Sequence, residues 1–481
     1  MSTSYLLKGG IIATFSSDNQ PKSFKADVLV EGSIITQIAE SINVGPHVEV
    51  INCEGKWITP GMVDTHRHVF AIVLRGDQCD WLLSEYLVKM SWTVQPALTA
   101  EEVRIGQLAG CLDALHSGVT TILDHFHAAN TPEHAEASLE ATIQSGARVV
   151  WCPARQSAPT QLFPNMEFGN EEETCKWQME KLKEWGSKDG GKLTPDGRVT
   201  LGLAYDIVGA GPISMHQEAL KFAREIPVQV ITAHVAKGRR ILTWRDGGLL
   251  GPDVLFSHCN VLFDHTDPDD EMWAAMKDNG CAIASTPCDE LGMAQGNPVA
   301  MDAVNRGVKC GLGVDALSIN GGDIFTQMRV ALQFARGRAH EAIEKNGHCA
   351  PKYNHNNAAD AFRLATLGGA EALNMEHLIG TIEVGKKADL VLYDAESTNL
   401  AAIADPFQGI TFHATNADVD TVLVNGEVVK RDGKLTKNLW GPIARELKQK
   451  ADAVRERLPK EKLDALWKQY YDTFGSPDLR T

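Results

Sequence analysis

The sequence predicts an α/β protein built around a (β/α)8, TIM-like barrel. Between residues 61 and 375, short apolar segments rich in β-branched residues alternate with longer segments of helical periodicity, which is the pattern of repeated β/α units. A doubly wound open sheet is the alternative, but it normally carries a glycine-rich phosphate turn after an early strand, and the sequence has none. The eight strand candidates are residues 62–65, 120–123, 147–152, 199–204, 228–232, 254–256, 282–285 and 308–311.

Both ends of the chain contain further strand-like segments. Residues 25–35 alternate polar and apolar side chains around a Glu-Gly turn, which is typical of a hairpin. Residues 388–393 and 420–429 have the same character, and Asn425-Gly426 is a strong hairpin turn.

These segments predict the domain organisation. We expect residues 1–58 and 376–440 to form one small β-sandwich domain, with a barrel domain of residues 59–375 inserted between its halves. Two separate small sheets are the alternative. Residues 441–481 are expected to form a C-terminal helical extension, because residues 441–472 are charged and helical in pattern.

Composition and charge exclude several classes of protein. The 481 residues are 43% hydrophobic and 22% charged, which does not fit a collagen-like, coiled-coil or wholly disordered chain. The net charge of −16 argues against nucleic-acid and anionic-membrane partners. Ten cysteines without a CxxC pair, and no signal-like or membrane-length apolar run, predict a cytoplasmic protein with reduced thiols. We expect a homo-oligomer that acts on a small molecule.

Metal-binding residue types stand at the ends of several predicted strands. His66 and His68 follow the first strand, and residues two apart in a strand point to the same side. His234, His258 and Asp315 stand at the ends of the fifth, sixth and eighth strands. Barrel chemistry occurs at this face, and buried polar residues there need partners. The pattern therefore predicts a metal site.

The same segments resemble a known family. Residues 59–68, Thr-Pro-Gly-Met-Val-Asp-Thr-His-Arg-His, look like the first-strand motif of the amidohydrolase superfamily. The resemblance covers residues 5–435 and is closest to the branch of chlorohydrolases and cytosine, guanine and S-adenosylhomocysteine deaminases. The segments that match this branch are Arg75-Gly76, Trp81-Leu82, residues 117–124, residues 311–315 and residues 380–392.

The resemblance implies a metallo-dependent hydrolase. It assigns His258 to a place beside the reacting water and implies one divalent metal per chain, Zn²⁺ first and Fe²⁺ second. Binuclear relatives use a carbamylated lysine on the fourth strand, and residues 199–206 contain no lysine. The metal ligands implied by motif match are His66, His68, His234 and Asp315.

The sequence departs from this branch at two positions. Deaminases of the branch usually have a glutamate three residues after the fifth-strand histidine, where this chain has Lys237. Where the fourth strand of this branch usually has a Pro-His pair, this chain has Tyr205-Asp206. Lys237 is interpreted as a cation that stabilises an oxyanion or binds a carboxylate, with an exposed rim lysine and a carbamylated lysine as alternatives.

Further residues are expected to line the substrate pocket. His125, with His127, follows the second strand, and the alternatives are hydrogen-bonded core histidines or a second metal site. Glu290 or Asp289 is a candidate replacement for the missing proton shuttle. Trp81 and Trp92 are candidates for an apolar wall or for core packing, and Arg75 for an anion contact. The complete set of predicted substrate residues is Arg75, Trp81, His125, Asp206, Cys288 and Glu290.

The function predicted from these residues is metal-dependent hydrolysis of a C–N bond in a small, possibly cyclic amide or lactam. Asp315, His258 and Lys237 are the predicted catalytic residues. The first alternative is a deaminase or dechlorinase acting on an N-heterocycle. The second is an inactive relative with a binding role, against which the complete ligand set argues. Fold and ligands do not select the substrate, because the loops do.

Overall fold

Strands at both ends of the chain enclose a central series of strands. The computed structural model describes residues 4–163, 166–169, 171–437 and 440–474. The N-terminal strands are β1 (Ser4–Phe15), β2 (Pro21–Glu31), β3 (Ile34–Ala39), β4 (Glu49–Asn52) and β5 (Lys56–Pro60). The central strands are β6 (Met62–His68), β7 (Val119–Phe126), β8 (Arg148–Pro153), β9 (Pro159–Gln161), β10 (Glu167–Phe168), β11 (Val199–Leu201), β12 (Leu203–Ala204), β13 (Ile231–Val235), β14 (Val254–His258), β15 (Ala282–Ser285), β16 (Lys309–Leu312) and β17 (Asp315–Ala316). The C-terminal strands are β18 (Leu390–Asp394), β19 (Val419–Val424), β20 (Glu427–Arg431) and β21 (Lys434–Leu435).

The central strands have the order of a (β/α)8 barrel. Two parallel series pair in the orders β11-β8-β7-β6-β17 and β12-β13-β14-β15-β16. Only Gly202 separates β11 from β12, and only Gly313 and Val314 separate β16 from β17. The two series therefore share their fourth and eighth strands, so that the strand order closes on itself. All eight predicted strand segments are present.

The barrel strands that carry the histidines extend further than the sequence pattern predicted. The strands β6, β13 and β14 continue to His68, Val235 and His258, so the histidines lie within the strands rather than after them. The fifth strand also begins at Ile231 instead of residue 228. Hydrophobic alternation ends a predicted strand at the first buried polar residue, whereas backbone pairing continues through it.

Helices alternate with the barrel strands, and two helices follow the last strand. Short 3₁₀-helices lie at Val69–Leu74, Asp189–Gly191 and Asn260–Asp264, and a π-helix lies at Leu87–Val94. The α-helices are α1 (Leu83–Tyr86), α2 (Gln95–Ala97), α3 (Ala100–His116), α4 (Pro132–Ser145), α5 (Glu171–Gly186), α6 (Ile213–Glu225), α7 (Arg240–Asp246), α8 (Glu271–Asp278), α9 (Pro287–Gly292), α10 (Ala300–Arg306), α11 (Ile324–Lys345), α12 (Ala358–Leu364), α13 (Leu367–Ala372), α14 (Pro406–Phe412), α15 (Trp440–Arg457) and α16 (Lys460–Phe474).

Helix α3 packs closely against the turn that follows β6. Thr99 and Glu102 form a capping box that begins the helix. Side chains at Gly106 and Gly110 would overlap the carbonyl oxygens of Phe70 and Val69, so glycine is required at both positions. The close packing supports the end of β6, where His66 and His68 lie.

One sheet combines strands from both chain ends. Its order is β21-β20-β19-β18-β5-β1-β2-β3, with β4 paired to β1. The alternative of two separate sheets is therefore wrong, because β5 pairs with β18. The predicted hairpin turns are also present, with Gly32 between β2 and β3 and Asn425-Gly426 between β19 and β20, all three at positive φ. The sandwich arrangement and the domain boundaries stay predictions.

The C-terminal helices α15 and α16 contact the barrel by ion pairs. Arg457 of α15 pairs with Glu102 of α3, and Asp464 of α16 pairs with the buried Lys89 of the π-helix. The predicted helical extension is thus present through residue 474, and its remainder, residues 475–481, lies outside the described residues. Among the helices of the described part, none is both long and apolar enough to cross a membrane.

A buried ion pair joins the terminal sheet to the barrel, and it yields a stability prediction. Arg148 of β8 donates from Nε to Asp389 Oδ2 at 2.6 Å and from Nη2 to Asp389 Oδ1 at 3.0 Å. Asp389→Ala would leave the buried guanidinium without its carboxylate. We expect a loss of about 3–5 kcal/mol in unfolding free energy, measured by urea denaturation.

The exposed pair of Lys25 and Glu54 supplies the control. Glu54→Ala should change stability by less than about 1 kcal/mol. A loss of under 1 kcal/mol for Asp389→Ala would show that the buried pair does not stabilise this junction.

Candidate active site

Four imidazoles and one carboxylate converge at the carboxyl ends of the barrel strands. Ligand atoms of His66, His234, His258 and Asp315 all lie within 4.8 Å of one another. His66 Nε2 and His68 Nε2 lie 3.3 and 3.2 Å from Asp315 Oδ1. The structure therefore brings together all four ligands implied by the motifs, with His258 beside them.

Each of the four rings is held through its Nδ1 atom. The partner of His68 is a backbone carbonyl and the partner of His234 is a carboxylate. Both only accept hydrogen bonds, so these two Nδ1 atoms carry hydrogen, and in the neutral rings Nε2 keeps a lone pair. The four contacts are His66 Nδ1 to Ser257 Oγ at 2.8 Å, His68 Nδ1 to His125 O at 2.8 Å, His234 Nδ1 to Asp206 Oδ2 at 2.9 Å, and His258 Nδ1 to Thr286 Oγ1 at 2.9 Å.

The unshared nitrogens fit a divalent cation. His66 Nε2 is buried and has no hydrogen-bond partner among the described residues, although an unpaired buried polar atom is costly. Several neutral imidazoles with one carboxylate are a donor set typical of Zn²⁺, and hydrogen bonds at the other ring nitrogen orient metal-binding histidines.

The protonation states agree with this interpretation. Burial lowers the pKa of His66 well below its usual value, which keeps the ring neutral. Burial opposes charge on Asp315 too, but His66 and His68 hold its pKa well below the usual value. Burial likewise opposes charge on His234, yet the neighbouring Asp206 carboxylate raises the pKa of that ring.

The backbone at Asp315 is strained and is held on both sides by buried carboxylates. Asp315 has φ = +70°, a region that non-glycine residues rarely occupy. The amide of Val314 donates to Asp64 Oδ1 at 3.2 Å, and that of Ala316 donates to Asp289 Oδ2 at 3.1 Å. These contacts direct the Asp315 side chain towards the histidines.

A fully buried arginine extends this support. Arg67, between the two histidines of β6, donates to Asp64 Oδ2 at 2.6 Å and to the carbonyl of Gly322 at 2.6 Å. It thereby links the first barrel strand to the loop after the eighth. Sequence reasoning noted the histidines but not Asp64 or Arg67 as supports, because Val314, which contacts Asp64, and Gly322, which contacts Arg67, lie 250 and 255 residues away in the chain.

The site opens towards the fourth and fifth strands. The side chains of His234 and Asp206 are 30% and 22% exposed, whereas those of His66 and His258 are buried. Asp206 also contacts His125 Nε2 at 3.0 Å, so His125 lies beside the cluster, and its contact with substrate stays a prediction. Burial lowers the pKa of His125 to about 4, and the ring is neutral.

Lys237 lies at this open side as an exposed residue two positions beyond β13. It forms no ion pair with any described residue. Its neighbour Arg239 pairs with Glu271, and Arg240 donates to the carbonyl of His234 at 3.2 Å. A role for Lys237 in binding an anionic group stays a prediction.

Three residues that were candidates for the pocket contact other parts of the protein. Arg75 forms a bidentate ion pair with Asp113 of α3, with both contacts at 2.9 Å. Trp81 lies under the Lys89 ammonium, 4.8 Å from the ring centroid. Trp92 packs on Tyr470 of α16. These residues therefore have structural contacts, and their contact with substrate stays a prediction.

The residues after the seventh strand differ in their surroundings. Cys288 is half-buried, and its amide donates to Gln327 Oε1 at 3.1 Å. Glu290 is fully buried, and its carboxylate accepts from the Thr286 amide at 2.7 Å and from Ser285 Oγ at 3.1 Å. The carboxylate of Glu290 therefore fixes the end of β15.

Tyr86 and Asp289 form a further polar wall near Asp315. Tyr86 is buried, and its hydroxyl has no hydrogen-bond partner by distance and angle in the described residues. Burial, and then the charge of Asp315, raise the pKa of Asp289 well above its usual value. Sequence reasoning missed Tyr86, because a single tyrosine has no distinguishing pattern in the sequence.

Comparisons with known proteins agree with the fold. The barrel and its cluster of imidazoles and carboxylate are those of a hydrolytic enzyme, and the amidohydrolase family model matches residues 57–429. The chain belongs to the amidohydrolase family. It is a hydrolase that acts on carbon–nitrogen bonds other than peptide bonds.

Proteins of similar sequence include two deaminases. A 5'-deoxyadenosine deaminase of Methanobrevibacter smithii is 26% identical over 433 residues, which cover 86% of this chain and 90% of the relative. A 5-methylthioadenosine/S-adenosylhomocysteine deaminase of Pyrococcus horikoshii is 26% identical over 448 residues, covering 90% and 96%.

Two solved structures share the fold. A zinc-bound adenosine deaminase of Xanthomonas campestris has a TM-score of 0.79 at 19% identity, covering 95% of this chain and 99% of that one. A zinc complex of atrazine chlorohydrolase from Arthrobacter aurescens has a TM-score of 0.77 at 19% identity, covering 93% and 100%.

The position of Glu290 yields a prediction. Glu290→Ala removes the acceptor of the Thr286 amide and of Ser285 Oγ, so we expect a loss of about 1–3 kcal/mol in unfolding free energy. Cys288→Ala, on the same helix, is the control, because the contact of Cys288 with Gln327 uses the backbone amide. Equal stability of both variants in urea denaturation would contradict a supporting role for Glu290.

Proposed function

We propose that the protein is a metal-dependent aminohydrolase that releases ammonia from a small N-heterocycle. One observation carries the proposal: four imidazoles surround the Asp315 carboxylate, and each of them has a hydrogen-bond partner at Nδ1. The relatives named as deaminases support the reaction class. The metal ligands in this proposal are His66, His68, His234 and Asp315, with Zn²⁺ as first choice and Fe²⁺ as second.

The chain's own residues account for the proton transfers. A bound divalent metal supplies a water of lowered pKa, about 7, as nucleophile. With the metal bound, Asp315 would accept a proton from the water as the water oxygen bonds to the ring carbon, and His258 Nε2, 3.7 Å from Asp315 Oδ2, would stabilise the carboxyl group. The proton then passes to the departing nitrogen, the C–N bond breaks, and ammonia leaves.

Hydrolysis of an amide or lactam is the second candidate. It is favoured by Lys237, which stands where deaminases of this branch usually carry a glutamate, and a cation there suits a carbonyl or carboxylate group. Loss of chloride from a heterocycle would use the same nucleophile.

The cytoplasmic location and the self-association expected from the sequence remain part of the proposal.

Metal content and one variant test the proposal together. Purified protein should contain about one divalent metal per chain by elemental analysis. Asp315→Asn should lower turnover by about 10² or more, the scale of lost general acid–base catalysis. Turnover is measured as ammonia release from a panel of aminoheterocycles, amides and lactams.

Two results would reject it. One is a folded, unchelated preparation without metal. The other is Asp315→Asn protein that keeps normal metal content and more than half of the wild-type rate.

Lys237 distinguishes the two candidate reactions. If the substrate carries a carbonyl or carboxylate beside the scissile bond, Lys237→Ala should lower kcat/KM by about tenfold or more, below the 10²–10³ seen for buried oxyanion donors, because water screens an exposed charge. Lys237→Glu should lower it further and favour aminoheterocycles. Arg239→Ala is the matched control on the same loop, and unchanged kcat/KM in Lys237→Ala would remove the main argument for amide hydrolysis.

A further inference from the structure

Asp206 makes three contacts that converge on the fifth barrel strand. Its Oδ1 accepts the backbone amide of His234 at 2.7 Å. Its Oδ2 lies 2.9 Å from His234 Nδ1 and 3.0 Å from His125 Nε2. The Asp206 carboxylate thus binds both the backbone and the ring of His234. The ring of His125, on β7, contacts the same carboxylate.

These contacts determine which nitrogen of His234 faces the centre. A carboxylate accepts hydrogen bonds and does not donate them, so His234 Nδ1 and His125 Nε2 both carry hydrogen. His234 Nε2 is then the nitrogen left for a metal. His125 Nδ1 is buried without a hydrogen-bond partner in the described part of the chain, so the contact with Asp206 is the one that orients its ring.

We propose that Asp206 is a positioning residue for His234 as a metal ligand, and that His125 in turn positions Asp206. The inference rests on the proposed function, because it needs a metal at the centre. It explains why an aspartate occupies the fourth-strand position where the related branch usually has a Pro-His pair. The residue acts through His234 and not by binding the metal itself.

A second metal site formed by His125, Asp206 and His234 is the competing interpretation, since their ligand atoms lie within 4.8 Å of one another. The contacts disfavour it. Both ring nitrogens that face Asp206 donate to it, so a cation would have to displace two hydrogens and break both hydrogen bonds. His234 would also have to bind two metals through one ring.

Asp206→Asn is the decisive variant because it keeps the size of the side chain. Asparagine offers one acceptor and one donor group in place of two acceptors. It cannot accept from the His234 amide on one side and from two ring N–H groups on the other. A positioning role therefore predicts zinc affinity 10- to 100-fold weaker than wild type, whereas a packing role predicts no change.

The experiment measures zinc binding to metal-free protein with a competing chromogenic chelator. Asp253→Asn is the matched control. Asp253 is 24% exposed, close to the 22% of Asp206, and it pairs with Arg224 immediately before β14, at the opposite end of the barrel strands. Thermal unfolding of each metal-free variant reports whether a loss of affinity reflects a loss of folding.

The expected result is one zinc per wild-type chain, a 10- to 100-fold weaker constant for Asp206→Asn and an unchanged constant for Asp253→Asn. Affinity of Asp206→Asn within twofold of wild type would overturn the inference and leave the proposed function intact. Two zinc ions in wild type and one in Asp206→Asn would make Asp206 a ligand and overturn it too. A wild-type protein that binds no zinc would reject the proposed function and the inference together.

If the Asp206→Asn protein does not fold, a second measurement on the wild type tests the inference. In zinc-loaded wild type labelled with ¹⁵N-histidine, the Nδ1 of His234 should be protonated and Nε2 should carry the metal. A metal on Nδ1 would overturn the inference without any substitution.

Discussion

A buried imidazole has two nitrogens, and both need a partner. At the carboxyl ends of the barrel strands, three buried rings and the partly exposed ring of His234 lie with neighbouring centroids about 5 Å apart, for example 4.8 Å between His66 and His68. The protein supplies one partner to each ring at Nδ1, and the remaining nitrogens point at a single carboxylate. In each ring, therefore, Nδ1 is hydrogen-bonded to the protein and Nε2 faces the centre of the site. The rest of the site depends on this constraint.

The register of the parallel strands places the hydrogen-bond partners of the imidazole Nδ1 atoms. Neighbouring parallel strands place residues at equal height, and in three of the four cases the partner comes from the adjacent strand or the residues directly after it. The fourth, Ser257, lies on β14 and reaches His66 of β6 across the site. The adjacent-strand pairs are His68 with the His125 carbonyl, His234 with Asp206, and His258 with Thr286. The barrel therefore orients the rings, whereas a loop of similar sequence would leave them to rotate.

The strand pattern and the residue types at strand ends were sufficient to predict the barrel and the central histidines. The contacts of Nδ1 were not predictable, because serine, threonine and a backbone carbonyl have no sequence signature that distinguishes them as partners. Arg75 illustrates the same limit on the rim. A free arginine and one paired with Asp113 look alike in sequence, since the pair depends on how α3 packs against the turn after β6.

Strain and burial divide the site into two unequal halves. On the side of the first and eighth strands, Asp315 stays in a left-handed conformation that costs about 1–3 kcal/mol, and Asp64 and Asp289 hold its flanking amides. This half is closed to water, and its residues match the family motifs. The two departures from those motifs, Asp206 and Lys237, both lie in the open half. Because a substrate enters where the site is open, we expect the closed half to set the reaction class, and the residues of the open half, Lys237 among them, to contribute to the choice of substrate.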